Sequence, residues 1–402
     1  MVAIQWSALA TRALFYTSFH HRAADTAAYS KNAQDAAKAL QEWYEKPTGL
    51  WKNTGWWNSA NCLTVLGDAA MADSKIGDAI GIVDIFHNTY DNAQKTSVTT
   101  SKKLNDGKTS STYKYETKKI SKKRAKTQGY PRSLNGYYDD EGWWGLALVR
   151  GWDVTHDPSL LDAAQHIFDD MAEYSLDKKT CGGGLWWNTD KQYKNAITNE
   201  LFLALGASLA TRAANRKDSY IRQVTAHWDW FKQSGLINDK NLINDGLKVN
   251  DQGICENNGL QTWSYNQGVI LGGLVELYNA TGTQEYLSDA VKYANAALTA
   301  LQDENGIIRE IDRCEPNCGD DGSQFKGIFV RNLAYLHQVA PQANFHDAIL
   351  KNADSIWAHN RNSKNQLGIN WAGPADAGKG PTATTHTSAM DVLVGALAAS
   401  KK

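Results

Sequence analysis

Apolar positions recur at helical spacing almost from one end of the chain to the other. The pattern predicts about twelve helices, over 23–45, 58–73, 79–95, 141–154, 158–175, 195–213, 217–234, 265–280, 283–302, 325–340, 344–360 and 386–400. No alternating run argues convincingly for a strand. The helices are of two kinds. Tyr286-Leu287-Ser288-Asp289-Ala290-Val291-Lys292-Tyr293-Ala294 has an apolar stripe and a charged face. Gly268-Val269-Ile270-Leu271-Gly272-Gly273-Leu274-Val275 is apolar nearly all round, as a helix buried on every side must be. The two kinds alternate, and the apolar members begin near 58, 141, 195, 265, 325 and 386. One hairpin of an outer and an inner helix thus repeats about every 60 residues, longer than the roughly 34–47 of open helical solenoids. Six such hairpins closing on themselves form an (α/α)6 barrel, an all-α fold expected to occupy residues 1–402 as one domain.

The first interval is long because a polar, basic segment interrupts it. Residues 95–127 hold eleven Lys or Arg against Asp106 and Glu116. The plain expectation is a solvated surface loop or short hairpin. The sharper one is a basic arm that keeps the protein near anionic wall material.

Formal net charge is −1, so the chain as a whole is not built to attract nucleic acid or an anionic membrane. No apolar run is long enough to span a bilayer. Arg12 and its polar neighbours break any secretory apolar core, so a leader is expected to have been removed. The sequon Asn279-Ala280-Thr281 fits a secreted, extracellular protein. Cys62, Cys181, Cys255, Cys314 and Cys318 show no zinc-type CxxC pair, so no structural metal is expected. Cys314 and Cys318 flank a tight turn that a disulfide would close. Cys62 lies in an apolar helical pattern and is the candidate free thiol.

Fifteen Trp and seventeen Tyr change the picture more. Many serve a large core, yet several cluster with Asn, Asp and Gly just ahead of the apolar helices. Trp56, Trp57, Asn58 and Asn61 precede the first; Tyr138, Asp139, Asp140, Trp143 and Trp144 open the second; Trp186, Trp187, Asn195 and Asn199 open the third. Tyr265 and Gln267 open the fourth, Lys326 the fifth and His386 the sixth. In a barrel these ends meet at one mouth. Aromatic faces and amides there suit a neutral, hydroxyl-rich ligand. Asp139-Asp140 is the sharpest feature. One Asp before a helix is an ordinary cap, but two, followed by Glu141, crowd beside four aromatics. Crowded carboxylates drive one of the group to keep its proton, and one ionised plus one protonated carboxyl is the equipment of a glycosidase. Neighbours at a helix start can reach the roughly 5–5.5 Å separation of retaining enzymes. Asp245, in Asn244-Asp245-Gly246-Leu247, is either a turn residue or an acceptor for sugar hydroxyls. No phosphate-binding loop and no Ser-centred elbow is present.

These segments resemble glycoside hydrolase family 76, the endo-α-1,6-mannanases. The resemblance rests on Gly55-Trp56-Trp57-Asn58-Ser59-Ala60-Asn61, Tyr138-Asp139-Asp140-Glu141-Gly142-Trp143-Trp144, Gly183-Gly184-Leu185-Trp186-Trp187, Lys194-Asn195-Ala196-Ile197-Thr198-Asn199-Glu200, Ile243-Asn244-Asp245-Gly246-Leu247, Thr262-Trp263-Ser264-Tyr265-Asn266-Gln267-Gly268 and Lys326-Gly327-Ile328-Phe329. The Cys-rich loop near Cys314 looks fungal, while the basic insertion departs from the family pattern. The resemblance implies Asp139 as nucleophile and Asp140 as acid/base in a retaining double displacement on α-mannan. It implies Asn195, Asp245, Tyr265 and the paired Trp residues as holders of flanking sugars. A monomer is expected. Three other readings compete. Fungal relatives look like transglycosidases acting on glycolipid-anchor mannose; the Ala-Ala-Ser-Lys-Lys end, with no apolar tail, favours the hydrolase over an anchored transferase. A non-catalytic mannan-binding protein would not need both aspartates. A polysaccharide lyase would want an Arg cluster that the mouth does not offer.

Overall fold

The computed structural model describes residues 25–96, 98–105, 108–115, 131–250, 252 and 254–401. In chain order the helices are α1 (25–40), α2 (Trp56–Ala72), α3 (Ser74–Ile80), α4 (Ile82–Ala93), α5 (Tyr138–Thr155), α6 (Pro158–Asp170), α7 (Ala196–Arg212), α8 (Lys217–Gln233), α9 (Ser264–Thr281), α10 (Gln284–Leu301), α11 (Gly319–Val339), α12 (Ala343–His359) and α13 (Ala383–Ala399). Helices α2, α5, α7, α9, α11 and α13 pack in that order, and α13 closes back on α2. The predicted (α/α)6 barrel is therefore the observed fold. Its inner helices are buried on all sides: in α7 every residue from Ala196 to Ala210 is buried. The outer helices bury one stripe, as α8 does with Tyr220, Val224, His227, Trp228 and Phe231. Each large apolar side chain so buried contributes about 1.5–3 kcal/mol.

Small residues let the inner helices approach one another. A Cβ on Gly268 of α9 would lie 2.5 Å from Phe329 Cα on α11. On Gly327 of α11 it would lie 2.3 Å from the Ser388 carbonyl oxygen on α13. A side chain at either position would push two helices of the ring apart.

Several boundaries differ from the expected ones. The helix foreseen over 23–45 stops at 40; Gln41–Trp43 tightens to a 3-10 turn. Next, β1 (Tyr44–Glu45) pairs with β2 (Leu50–Trp51). The stretch 79–95 belongs to two helices, because Gly81 adopts φ 66° between them. Inner helices start earlier than their apolar runs, α5 at Tyr138, α11 at Gly319 and α13 at Ala383. Their first turns carry polar side chains, so apolar periodicity misses them.

The insertion forms an antiparallel hairpin, β3 (Val98–Asn105) with β4 (Lys108–Tyr115). The backbone of β4 comes against α11, the helix opposite α5 in the ring. The expected short hairpin is thus found for this part, while residues 116–127 of the segment lie outside the described ones. A third sheet, unforeseen in the sequence, joins β5 (Lys194–Asn195), β6 (Gly246–Val249) and β7 (Cys255–Asn257). These strands are too short for alternation to show. Disulfides join Cys181 to Cys255 and Cys314 to Cys318, and Cys62 is the buried free thiol. Among the described residues no helix is long and apolar enough to cross a membrane.

Candidate active site

Because α5 begins at Tyr138, Asp139 and Asp140 sit inside its first turn and not ahead of it. Tyr137 is the N-cap residue and makes no side-chain cap bond. The helix dipole still favours negative charge there. Two different donors hold the pair. Trp187 Nε1 donates to Asp139 Oδ2 at 3.0 Å, and Asn135 Nδ2 donates to Asp140 Oδ2 at 2.8 Å. Asp140 is only 1% exposed, whereas Asp139 is more open.

Glu141 holds the loop that supplies Asn135. Its Oε1 accepts the backbone N–H groups of Asn135 at 2.8 Å and Gly136 at 2.7 Å. Burial pushes its carboxyl from the ordinary 4.5 up to about 8, against those two donors. The folded protein thus keeps a proton that the unfolded chain releases. This group's contribution to stability falls as pH rises from about 4.5 to about 8. Glu141→Gln keeps the acceptor and removes the ionisation. Its unfolding temperature is expected to gain on wild type between about pH 5 and pH 8 in a thermal-shift series. A constant difference across that range would rule this out.

Asp245 approaches the pair from the sheet. Asp245 N bonds Gln261 O at 2.9 Å and its own carbonyl accepts from Ala196 N at 2.8 Å, so β5 and α7 fix it. Tyr193 Oη donates to Asp245 Oδ2 at 2.5 Å and accepts from Asn258 Nδ2 at 3.0 Å. Gly246 is required beside it, because a Cβ there would meet Tyr193 Oη at 2.3 Å. Burial raises the Asp245 carboxyl to about 6, helped by the charge of Asp139 and opposed by the Tyr193 bond. Tyr265, fully enclosed at the head of α9, is pushed well up, first by burial and then by Asp245, Asp139 and Asp321. Glu310 steadies this helix start by accepting from Ser264 N at 2.7 Å and Oγ at 2.6 Å.

Aromatic rings close the wall. Trp143 follows Asp139 by one helical turn and stacks on Trp57 of α2, with centroids 5.5 Å apart. Trp57 packs against Phe325, which stacks on Tyr265 at 3.8 Å and meets Trp263 at 5.8 Å. First-turn residues of α2, α5, α9 and α11 thus converge at one mouth. They offer flat apolar faces and carboxylate acceptors together, as a bound pyranose needs.

Of the residues singled out in the sequence, Trp57, Asp139, Asp140, Trp143, Trp187, Asp245 and Tyr265 gather here. Others are held in the framework. Lys326 Nζ pairs with Glu315 at 2.8 Å, bonds Ile369 O at 3.0 Å and lies over the Trp371 ring. Gln267 bonds both backbone groups of Ile243, and Asn199 both of Leu185. Asn195 caps α7, Asn58 bonds Gly55 N, and Asn61 receives Arg331 Nη2 at 2.6 Å. Trp56 and Trp144 pack on each other, and Trp186 carries Lys194 over its ring. Tyr138 turns with Glu141 toward a separate cavity of about 400 Å³ beside Asp170 and Tyr174. His386 is structural: it accepts from Leu367 N and bonds Ala36 O. Three participants went unseen in the sequence: Asn135, Tyr193 and Asp321. For Asp321 the signal was present, since Asp320-Asp321 opens α11 as Asp139-Asp140 lies in the first turn of α5.

Glycosyl hydrolase family 76 matches residues 22–402. The chain belongs to that family. Mannan endo-1,6-alpha-mannosidase DCW1 of Candida albicans is 32% identical over 220 residues, covering 51% of this chain and 48% of that protein. The chain spans about half the length of the curated relatives it matches. Two solved structures share the family 76 fold. One is an inactive variant of an alpha-1,6-mannanase from Salegentibacter sp. HEL1_6, with two consecutive Asp-to-Asn changes, in complex with alpha-1,6-mannotriose. It is 19% identical with a TM-score of 0.70, covering 92% of this chain and 99% of that chain. The other is Dfg5 from Chaetomium thermophilum in complex with glucosamine, 19% identical with a TM-score of 0.71, covering 92% and 90%.

Proposed function

We propose that this protein cleaves α-1,6-mannosidic bonds within mannan by a retaining double displacement. The observation that carries the reading is the Asp139–Asp140 pair, each oxygen-anchored by its own donor, at the head of α5 beneath an aromatic wall. Asp139, the more open carboxylate, attacks the anomeric carbon. Asp140 protonates the departing glycosidic oxygen as that bond breaks, leaving a mannosyl ester on Asp139. Asp140, now ionised, takes a proton from water; the hydroxide oxygen displaces Asp139 and restores the starting charges. Trp187 holds Asp139 oriented through both steps, and Asp245 with Tyr193 receives hydroxyls of the sugar under attack. No metal or organic cofactor enters this scheme. The names of the fungal relatives and the mannotriose bound to the bacterial structure support α-1,6-mannan as substrate. A mannan substrate, as in those names, fits an extracellular or cell-wall site of action.

The test is digestion of linear α-1,6-mannan oligosaccharides with products resolved over time. Shorter α-mannosides, released first as the α-anomer by NMR, are expected. Products longer than the substrate would replace hydrolysis by transglycosylation on the same pair. Intact substrate at high enzyme concentration, with binding retained, would overturn the reading in favour of a mannan-binding protein.

A further inference from the structure

We propose that the cavity behind the Asp139–Asp140 pair is a second carbohydrate site, which binds an α-mannosyl unit of the substrate chain on the exposed ring of Tyr174; this rests on the mannanase reading above. The cavity holds about 400 Å³, with Tyr138, Glu141, Asp170, Tyr174, Thr189 and Lys191 in its lining. That size falls within the about 300–1,000 Å³ of small-molecule sites. Asp139, Asp140, Trp187 and Asp245 do not line it, so it is distinct from the mouth. Glu141 supplies the observation that points to a ligand. Its Oε1 is taken by the N–H groups of Asn135 and Gly136. Its Oε2 is buried with no hydrogen-bond partner, on a side chain only 1% exposed that lines the cavity. A buried polar atom is ordinarily satisfied by protein, water or ligand.

Two buried neighbours fix where Tyr174 stands. After α6 ends at Asp170, Met171–Ser175 form one π-helical turn, closed by Leu176 N on Met171 O at 3.1 Å. Single π turns recur at functional sites. Met171 and Ser175 are buried, and Ser175 Oγ donates to Trp186 O at 2.7 Å. Tyr174 beside them is 52% exposed, and among the described residues no other Tyr, Trp or Phe is as open. An open ring is a platform for the apolar side of a pyranose. Groups of both hydrogen-bonding kinds stand round it. Asp170 accepts, Lys191 donates, and the Thr189 hydroxyl does either. Burial raises Glu141 to about 8, so at neutral pH it keeps a proton that Oε2 can donate. One carboxylate, one ammonium and one neutral carboxyl suit the hydroxyls of a neutral sugar better than they suit an ion. Through Glu141 the cavity also touches the loop whose Asn135 donates to Asp140 at 2.8 Å. An occupant bonded to Glu141 Oε2 thus steadies the donor of the proposed acid/base.

The test is affinity electrophoresis of Asp139→Asn, which is expected to bind without cleaving, in gels containing α-1,6-mannan. Adding Tyr174→Ala is expected to weaken retention about fivefold, as loss of one aromatic contact implies. Adding Tyr174→Phe, which keeps the ring, should leave it within about twofold. Turnover of α-1,6-mannotriose with Asp139 in place reports the mouth alone. There kcat/KM of Tyr174→Ala is expected within about twofold of wild type. Retention unchanged by Tyr174→Ala, no retention of Asp139→Asn itself, or mannotriose turnover lost as steeply as retention overturns the site. So does a melting temperature that calcium chloride raises in wild type and not in Glu141→Gln, which would make the cavity a cation site. Retention that depends on Tyr174, with mannotriose left intact by wild type, would keep the site and overturn the mannanase reading.

Discussion

Asp139→Asn is expected to lower turnover of α-1,6-mannan by at least about 10⁴-fold, and Asp140→Asn by about 10²–10⁴-fold, with both variants folded. Asparagine is nearly isosteric and still accepts from Trp187 Nε1 or Asn135 Nδ2, so the losses report chemistry. The two variants should differ in a way that identifies the roles. With dinitrophenyl α-mannoside the leaving group needs no proton, so Asp140→Asn still forms the ester on Asp139. The ester then persists, because no base activates water. Azide needs no base, and it should restore turnover and release α-mannosyl azide. Asp139→Asn has no nucleophile to form the ester, and azide attacking directly would give the β-azide. A β-azide from Asp140→Asn would exchange the roles, and full activity of either variant on unactivated mannan would remove the pair from the mechanism.

The barrel was legible because its signal is repeated. Six buried helices, each apolar on every face, leave a mark that no single boundary error can erase. The heads of those helices were less legible for a physical reason. A first turn lining a polar mouth is polar, so Gly319-Asp320-Asp321-Gly322-Ser323 reads as loop and conceals both the start of α11 and Asp321. Sequence also shows which groups are present, not where they point. Lys326, Gln267 and Asn199 have the chemistry of sugar ligands, yet each satisfies buried backbone or a buried carboxylate. The Asp139–Asp140 pair stood out because one cap needs one Asp. The sheet β5–β6–β7 and the Cys181–Cys255 bridge join segments far apart in the chain, and only the fold shows that they frame one side of the site.

That bridge is the second place where a single change should have a large effect. Cys181 belongs to the glycine-rich loop ahead of Trp186 and Trp187, and Cys255 opens β7, separated from it by 74 residues. Constraining a loop of that length stabilises the folded state by about 4 kcal/mol on chain-entropy grounds. Cys181→Ser with Cys255→Ser is therefore expected to lower the denaturation free energy by about 2–4 kcal/mol, read by extrapolating guanidinium unfolding to water, with a slope no shallower than wild type because the unbridged unfolded chain expands. Activity should fall as well. The loop holds Lys194, whose Nζ bonds Asp177 and the carbonyls of Thr180 and Gly183, and Lys194 pairs through β5 with Leu247, two residues past Asp245. Trp187 continues from the same loop to Asp139. Release of the bridge thus loosens Asp245 and the donor of Asp139 together. In contrast, serine at Cys314 and Cys318 opens a loop only 4 residues apart and leaves the Asp139 side intact. If the two double variants lost equal stability and activity, the bridge would not be what ties the sheet to the Asp139–Asp140 pair.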